Sequence, residues 1–430
     1  MHTLDLDFTV DELTKVEGAA ALDVRIRGGK VEHAHFKITE YKRFYTTAIQ
    51  GKPIVAVPQL LARICGTCSN AHLLCSIEAC ERALGIKATE QTKLLRMLTM
   101  YGLMIRDHAL HLYLFALPDI YGKDAFLDFD EGDPQQHQLL HDGFEVKSAG
   151  NFLATLIAGR SVHALYPVIG GFNHFPDAAG IAEAVKKLQA ARPAVLRLIS
   201  VFEKAPFHFD RKTDYMAIVP ELFGFLDGPI KTSKGETIAE EQFGEHLEHV
   251  VLPYSQGSAY RYKGGAYMVG ALARMNLAAD KLHPQTRKDA EQTLKRFPST
   301  DIYHNNLAQA VEILHCIDHA AEILSSSKFI TEAPVKFADH EGVGVGVVEA
   351  PRGTLYHKIS VASDGKVKMG EIVVPTGQNQ INIEEDLAKI IQGLLPNATR
   401  EQMVFEAEKL IRAYDPCMSC GAHFLKVKWE

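Results

Sequence analysis

Residues 63–72 read RICGTCSNAH and residues 415–423 read DPCMSCGAH. Each stretch holds a C-x-x-C pair, Cys65 with Cys68 and Cys417 with Cys420. One such pair can place two thiolates on one ion, so both pairs together make a four-sulfur site. A fold that builds this site must bring the start and the end of the chain to one point. Taken alone, two pairs point first to structural zinc and second to redox disulfides. Their surroundings differ from those of a zinc module. The first pair leads into an apolar helical run, and the second follows Pro416 at the end of a predicted helix. Soft thiolates also suit nickel, copper(I) and iron.

Outward from the first pair, 58–85 is expected to be largely helical. The run 88–120 has apolar residues at helical spacing for about eight turns. Further helices are expected near 143–159, 175–204, 283–297 and 305–327. Residues 1–50 read as strands around the Gly28-Gly29 turn, and 340–374 alternates like paired strands. Two closing helices then lead to Asp415-Pro416-Cys417. No internal repeat or low-complexity tract interrupts the chain. The expected fold is α+β and predominantly helical, a long central helix bundle with peripheral N-terminal and C-terminal β segments. We expect one unit over 1–430. It comprises an N-terminal β region (1–50), a helical core (51–335) with an irregular insertion near 205–265, a β region (336–380), and C-terminal helices with the metal-binding end (381–430).

The chain has 430 residues, 47% of them hydrophobic, which is an ordinary globular composition with ample material for a core. A formal net charge of −7 argues against nucleic acid as a partner. No apolar run reaches the length of a membrane span, and the N-terminus MHTLDLDFTVDEL lacks the marks of a secretory signal. Seven cysteines, an odd number, fit a reducing compartment. The expected location is cytoplasmic, with any membrane association made through partner subunits. Cys75, Cys80 and Cys316 fall in apolar helical patterns and are expected to be inert buried thiols.

The two cysteine stretches resemble the signatures of nickel–iron hydrogenase large subunits. The likeness extends well beyond them. Lys15-Val16-Glu17-Gly18 is similar to the family's R-[IV]-E-G motif, and Arg106-Asp107-His108-Ala109-Leu110-His111 to its post-signature helix. Gly159-Arg160-Ser161-Val162-His163 with Gly170-Gly171 is similar to its central G-[RK]-x-x-H…G-G segment. Glu349-Ala350-Pro351-Arg352-Gly353 matches E-A-P-R-G, and Pro375-Thr376…Asn379 a P-T-x-x-N-like turn. Each motif alone is weak, but all occur in family order from residue 15 to 423.

The resemblance implies a hydrogenase that splits dihydrogen reversibly and heterolytically. Nickel would be held by Cys65, Cys68, Cys417 and Cys420. Cys68 and Cys420 would also bridge to an iron carrying carbon monoxide and cyanide ligands. Cys417 would act as base, and Glu17 would relay its proton. A carboxyl beside a thiolate in a dry pocket should have a raised pKa, which suits relay. Arg352 would form a charged canopy held by Asp107 and Asp415, because a planar guanidinium donates to several acceptors and stays protonated. Pro351 and Thr376 would line the pocket, and His72 would donate toward a bridging sulfur. His108, His111 and His163 read as ordinary core histidines.

Two features depart from the family pattern. Arg43-Phe44-Tyr45-Thr46 stands where the family usually carries a glutamate for a second-site magnesium, so a hard cation would lose an anionic ligand. His423, the other side-chain ligand there, is present. Seven residues, FLKVKWE, follow His423 where most members carry a longer extension that is cut off after nickel insertion. That tail is expected to be strand-like. Beyond the four at the site, the chain offers no cysteine set for an iron–sulfur cluster, so the implied partner is an iron–sulfur small subunit in a hetero-oligomer. Maturation factors would insert nickel and iron. Competing readings are a hydrogen-sensing subunit with the same site and a complex I-like relative, which the four cysteines oppose.

Overall fold

A computed structural model describes residues 5–41 and 43–422. His423 and the expected strand at 424–430 lie outside the described residues. The centre is a bundle of four long helices, Glu90–Ala109, Pro134–Ala158, Ala178–Glu203 and His304–Ser326. Three of them start on side-chain caps. Thr89 accepts from the Thr92 N–H, Asp133 from Gln135 and Gln136, and Asp177 from Gly180, each satisfying a first-turn donor. Small residues let the first two helices cross closely: a Cβ on Gly102 would lie 2.7 Å from the backbone nitrogen of Ala154.

The expected eight-turn helix is not uniform. Glu90–Ala109 is α-helical, Leu110–Ala116 widens to a π-helix, and Leu117–Ile120 returns to α. Pro118 lacks the N–H that would bond the Leu114 carbonyl, and its ring crowds that turn. The P-T-x-x-N stretch also differs from expectation. It is not a separate turn but the first turn of helix Pro375–Leu394, with Pro375 at a position where its missing N–H is harmless. The predicted insertion near 205–265 is a set of short strands, among them Asp214–Ile218, Ile230–Thr232 and Ser258–Tyr262.

Two sheets position the site. In the first, β1 (Leu6–Val10), β2 (Ala20–Arg27) and β3 (Lys30–Ile38) form an antiparallel sheet. It buries Phe8, Leu22, Val24, Ile26 and Phe36 against residues of helices Pro375–Leu394 and Arg400–Ala413. In the second, strand Gly342–Ala350 pairs with Gly353–Val361, which pairs with Val367–Val373. The sequence GVGVGVV gives this first strand two unlike faces, because side chains alternate. Val345 and Val347 pack with Tyr260, Tyr267 and Tyr356. The glycines lie directly on helix Ser69–Ala83, the helix that follows Cys68. A Cβ on Gly342, Gly344 or Gly346 would stand 2.1, 2.0 or 2.2 Å from the carbonyl oxygens of Ala83, Ala79 and Cys75. Among the described residues no helix is long and apolar enough to cross a membrane.

Gly344→Ala should therefore push the cysteine helix off its strand and destabilise the protein by about 3 kcal/mol, the upper end of ordinary overpacking. Gly393→Ala, in helix Pro375–Leu394 with nothing within 4 Å of its Cβ position, should be neutral or slightly stabilising. Denaturant midpoints of the two variants check this contrast, and a Gly344→Ala midpoint equal to wild type would refute the close packing.

Candidate metal centre

Cys65 is extended, directly after a short 3-10 turn, and Cys68 caps helix Ser69–Ala83. The tight loop between them turns two N–H groups inward. Thr67 and Cys68 donate to Cys65 Sγ at 3.3 and 3.4 Å. Cys417 precedes a short helical turn, Met418–Gly421, which carries Cys420. All four sulfurs are buried and lie within 4.8 Å of one another. The cross-loop separations are 3.4 Å for Cys65–Cys417 and 3.1 Å for Cys68–Cys420. These exceed a disulfide bond, and every cysteine is free. Four convergent thiolates with this spacing fit soft or borderline metals such as nickel and iron.

The chain's first segment reaches this point through a clamp. Asp119 pairs with Arg412 at 2.6 Å and with Lys15 at 2.8 Å, and Arg412 also donates to the Thr14 carbonyl. Lys15 takes a left-handed conformation, as does Gly18, where a Cβ would sit 2.9 Å from Met418 Cβ. The Met418 N–H donates to the Glu17 carbonyl at 3.0 Å. The Glu17 carboxyl is thereby set against the second cysteine loop. Cys417 Sγ donates to Glu17 Oε2 at 3.0 Å, and Ser419 donates to Glu17 by hydroxyl (2.7 Å) and N–H (3.2 Å). Burial pushes the Glu17 carboxyl above its ordinary pKa, and negative charge on Cys65 adds to the shift. The sulfurs are not alike either. Contact with Cys417 Sγ holds Cys65 well below the ordinary thiol range, whereas burial holds Cys417 and Cys420 well above it.

Arg352 lies over the same site. Its guanidinium is 3.1 Å from Asp107 and 3.0 Å from Asp415, all three side chains being buried. Burial weakens a positive charge, but the two carboxylates outweigh it and hold Arg352 well above its ordinary pKa. The Nη1 and Nη2 atoms make no aligned hydrogen bond, although each lies within ion-pair distance of a carboxylate. Asp415 has a left-handed backbone, tolerable for aspartate, and its other oxygen accepts from Gln309 at 2.9 Å. A cavity beside the sulfurs is lined by Ala350, Arg352, Leu355, Pro375 and Thr376. Thr376 Oγ1 also accepts from the Cys417 N–H at 2.9 Å. Pro351 lies between two lining residues, with its carbonyl turned to Arg274. His72 Nε2 is 3.5 Å from Cys420 Sγ, and burial lowers its pKa to about 4.

Several supporting roles were not read from the sequence. Arg274 spans Glu312 (2.7 Å) and Glu349 (2.8 Å) and donates to the carbonyls of Ala350 and Pro351, fixing the strand end that presents Arg352. His108 completes this group at 2.9 Å from Glu312. An arginine inside the apolar helix ALARMN was its only signal. His357 lies 3.1 Å from His72 Nδ1 and 3.1 Å from Ser76 Oγ, which orients the His72 ring. Arg43 donates to the carbonyls of Ile64 and Ser419, one beside each cysteine pair. Arg106 bonds the Thr67 carbonyl within the first loop. Thr46 is half-buried on the short helix Tyr45–Ala48.

Comparison with known proteins gives a consistent picture. A sequence profile described as nickel-dependent hydrogenase matches residues 43–136 and 227–423. Sulfhydrogenase 2 subunit alpha of Pyrococcus furiosus is 32% identical over 420 residues, covering 97% of this chain and 99% of the relative. Sulfhydrogenase 1 subunit alpha of the same organism is 30% identical, covering 99% and 100%. The NAD-reducing hydrogenase HoxS subunit beta of Cupriavidus necator is 26% identical, covering 97% and 94%. Among solved structures, an NAD+-reducing NiFe hydrogenase superposes with a TM-score of 0.85 at 24% identity, covering 97% of this chain and 99% of that one. The reduced Ni-Fe-Se hydrogenase of D. vulgaris Hildenborough gives 0.79 at 21%, covering 98% and 100%. These likenesses show the fold.

The Arg274 group yields a stability prediction. Arg274→Met leaves Glu312 and Glu349 facing each other without a cation, which should destabilise the protein by about 3–5 kcal/mol. Adding Glu312→Gln should restore part of that loss in chemical denaturation. Equal stability of Arg274→Met and wild type would show that the buried pair contributes nothing.

Proposed function

This chain belongs to the nickel-dependent hydrogenase family, and from that membership we propose how its residues share the work of a hydrogenase large subunit. Its reaction is the reversible splitting of dihydrogen into protons and electrons at a cysteine-bound nickel–iron centre. The nearest fit for that centre is the buried four-sulfur group. In our reading Cys65, Cys68, Cys417 and Cys420 would hold the nickel and iron. The cavity at Ala350, Pro375 and Thr376 has the apolar, closed character expected around carbon monoxide and cyanide ligands on iron. When bound, the metal pair supplies the electrophile that polarises dihydrogen and the redox capacity that takes up its electrons.

The chain's own residues then handle the proton. Cys417 Sγ accepts it and passes it to Glu17 Oε2 across 3.0 Å, the single observation that carries this assignment. Ser419 holds the carboxyl in line from the other side. Burial raises the tendency of Glu17 to hold a proton, because it opposes the charged form. Arg352, fixed by Asp107 and Asp415, keeps a cation over the site, opposing the rise in the Glu17 pKa. His72 directs a ring N–H at Cys420, with His357 setting its tautomer.

The chain functions as one subunit of a hetero-oligomer, as its relatives' subunit names indicate. Cys75, Cys80 and Cys316 are buried and apart from the four-sulfur group, so electrons leave through a partner, which we take to be an iron–sulfur small subunit. Seven free cysteines favour the cytoplasm, where dedicated maturation proteins would supply nickel and iron.

Glu17→Gln keeps the shape of the relay and removes the transferable proton. The variant should retain wild-type nickel and iron content while dihydrogen-dependent dye reduction falls by about 100-fold or more. Unchanged turnover would remove Glu17 from the path. Infrared bands from carbon monoxide and cyanide in the mature protein test the iron ligands, and stoichiometric zinc alone would defeat the metal assignment.

A further inference from the structure

The outer face of the N-terminal sheet carries a second group of metal-ligating side chains. In β2 and β3, Asp23 stands opposite His35, and Arg25 opposite His33. Alternation places Asp23, His33, His35 and Lys37 on one face, while Leu22, Val24 and Phe36 fill the core on the other. His33 Nε2 lies 3.0 Å from Asp23 Oδ1. One ligand atom from each of Asp23, His33 and His35 lies within 4.8 Å of the other two.

This group is braced from behind. The His33 and His35 rings stack with centroids 4.1 Å apart and 9° between planes. Tyr254 stacks on His35 at 3.8 Å, also at 9°, so His35 is held between two rings. The Tyr254 hydroxyl donates to both oxygens of Glu384 at 2.9 and 2.8 Å, and Glu384 also accepts from the Phe36 N–H at 3.1 Å. The ring facing solvent is thereby tied to the strand's own backbone and to helix Pro375–Leu394. Asp23 is divided between two tasks. Its Oδ2 accepts from Lys37 Nζ at 2.9 Å, which leaves Oδ1 on the side of the imidazoles.

We propose that Asp23, His33 and His35 form a peripheral site for one divalent transition ion of the zinc class, with water completing its shell. Two imidazoles and one carboxylate suit zinc and its neighbours, whereas magnesium and calcium select oxygen ligands. Tetrahedral zinc sets its ligand atoms about 3.3 Å apart, by the usual metal–ligand lengths. The ligand atoms, within 4.8 Å of one another, close to that spacing when the His33 ring turns out of its stack on His35 so that both imidazole nitrogens converge on the ion. The side chains of His33 and Asp23 are 25% and 32% exposed, so a hydrated ion can reach them. Lys37 and Arg25 are the cations on this face that oppose binding, and they set the affinity well below that of a closed site.

Zinc titration of the holoenzyme by calorimetry, with its four cysteines already occupied, tests the site. Wild type should bind one zinc that His35→Gln and Asp23→Asn each weaken by about tenfold or more. Lys37→Met, which removes a repelling ammonium, should bind more tightly. Excess magnesium should not compete. Hydrogenase turnover without added zinc should match wild type in every variant, which reports that each has folded. Zinc uptake unchanged in the Asp23→Asn/His33→Gln/His35→Gln triple variant, absence of uptake by wild type, or equal competition by magnesium would overturn the site.

Discussion

Four buried sulfurs from loops 352 positions apart stand within 4.8 Å of one another, and the rest of the molecule is arranged to keep them there. Thiols and carboxyls gathered in a dry interior repel one another as they ionise, so the site needs fixed backbone and fixed cations. The backbone is fixed by a glycine-faced strand under the first cysteine helix and by the Asp119 clamp that joins Lys15 to Arg412. Arg43 then ties one loop to the other through the carbonyls of Ile64 and Ser419.

The cations form two layers with different duties. Arg352 faces the centre with its outer nitrogens unaligned to any partner. Arg274, one layer behind, is fully engaged by Glu312, Glu349 and two carbonyls. Arg274 overcomes burial so strongly that the Glu312 pKa falls to about 2. A fully satisfied buried pair of this kind specifies geometry more than it adds stability. It lets the inner arginine stay incompletely paired without drifting.

Much of this was legible in the sequence because the residues gathered at the four-sulfur site sit in short, distinctive strings. Both cysteine pairs, Glu17, Asp107, Arg352 and Asp415 fall where family order places them, and the structure brings all of them to one point. Residues that act through packing or long-range pairing left weaker traces. Arg274 and His357 have partners scores of residues away, and an isolated arginine in ALARMN does not announce which carboxylates meet it. The GVGVGVV alternation identified a strand, but only the fold shows that its glycine face carries the cysteine helix. The π-helix at Leu110–Ala116 was hidden because its apolar spacing still reads as helical. The P-T-x-x-N stretch reads locally as a turn, yet Pro375 opens a helix.

Glu17 shows why the site needs both layers of control. Burial and the charge on Cys65 raise its pKa, while hydrogen bonds from Cys417 and Ser419 and the field of Arg352 lower it. A carboxyl governed by burial alone would hold its proton too firmly to release it. One governed by Arg352 and its hydrogen bonds alone would stay ionised and never accept. The net effect is upward, with burial the largest cause and the hydrogen bonds and Arg352 holding it back. That balance is geometric before it is chemical. It depends on Gly18 admitting Met418, and on the Glu17 carbonyl accepting from the Met418 N–H, so that the carboxyl meets Cys417 and Ser419 together. The proton relay we propose therefore rests on a backbone contact between Glu17 and Met418, near the two ends of the chain.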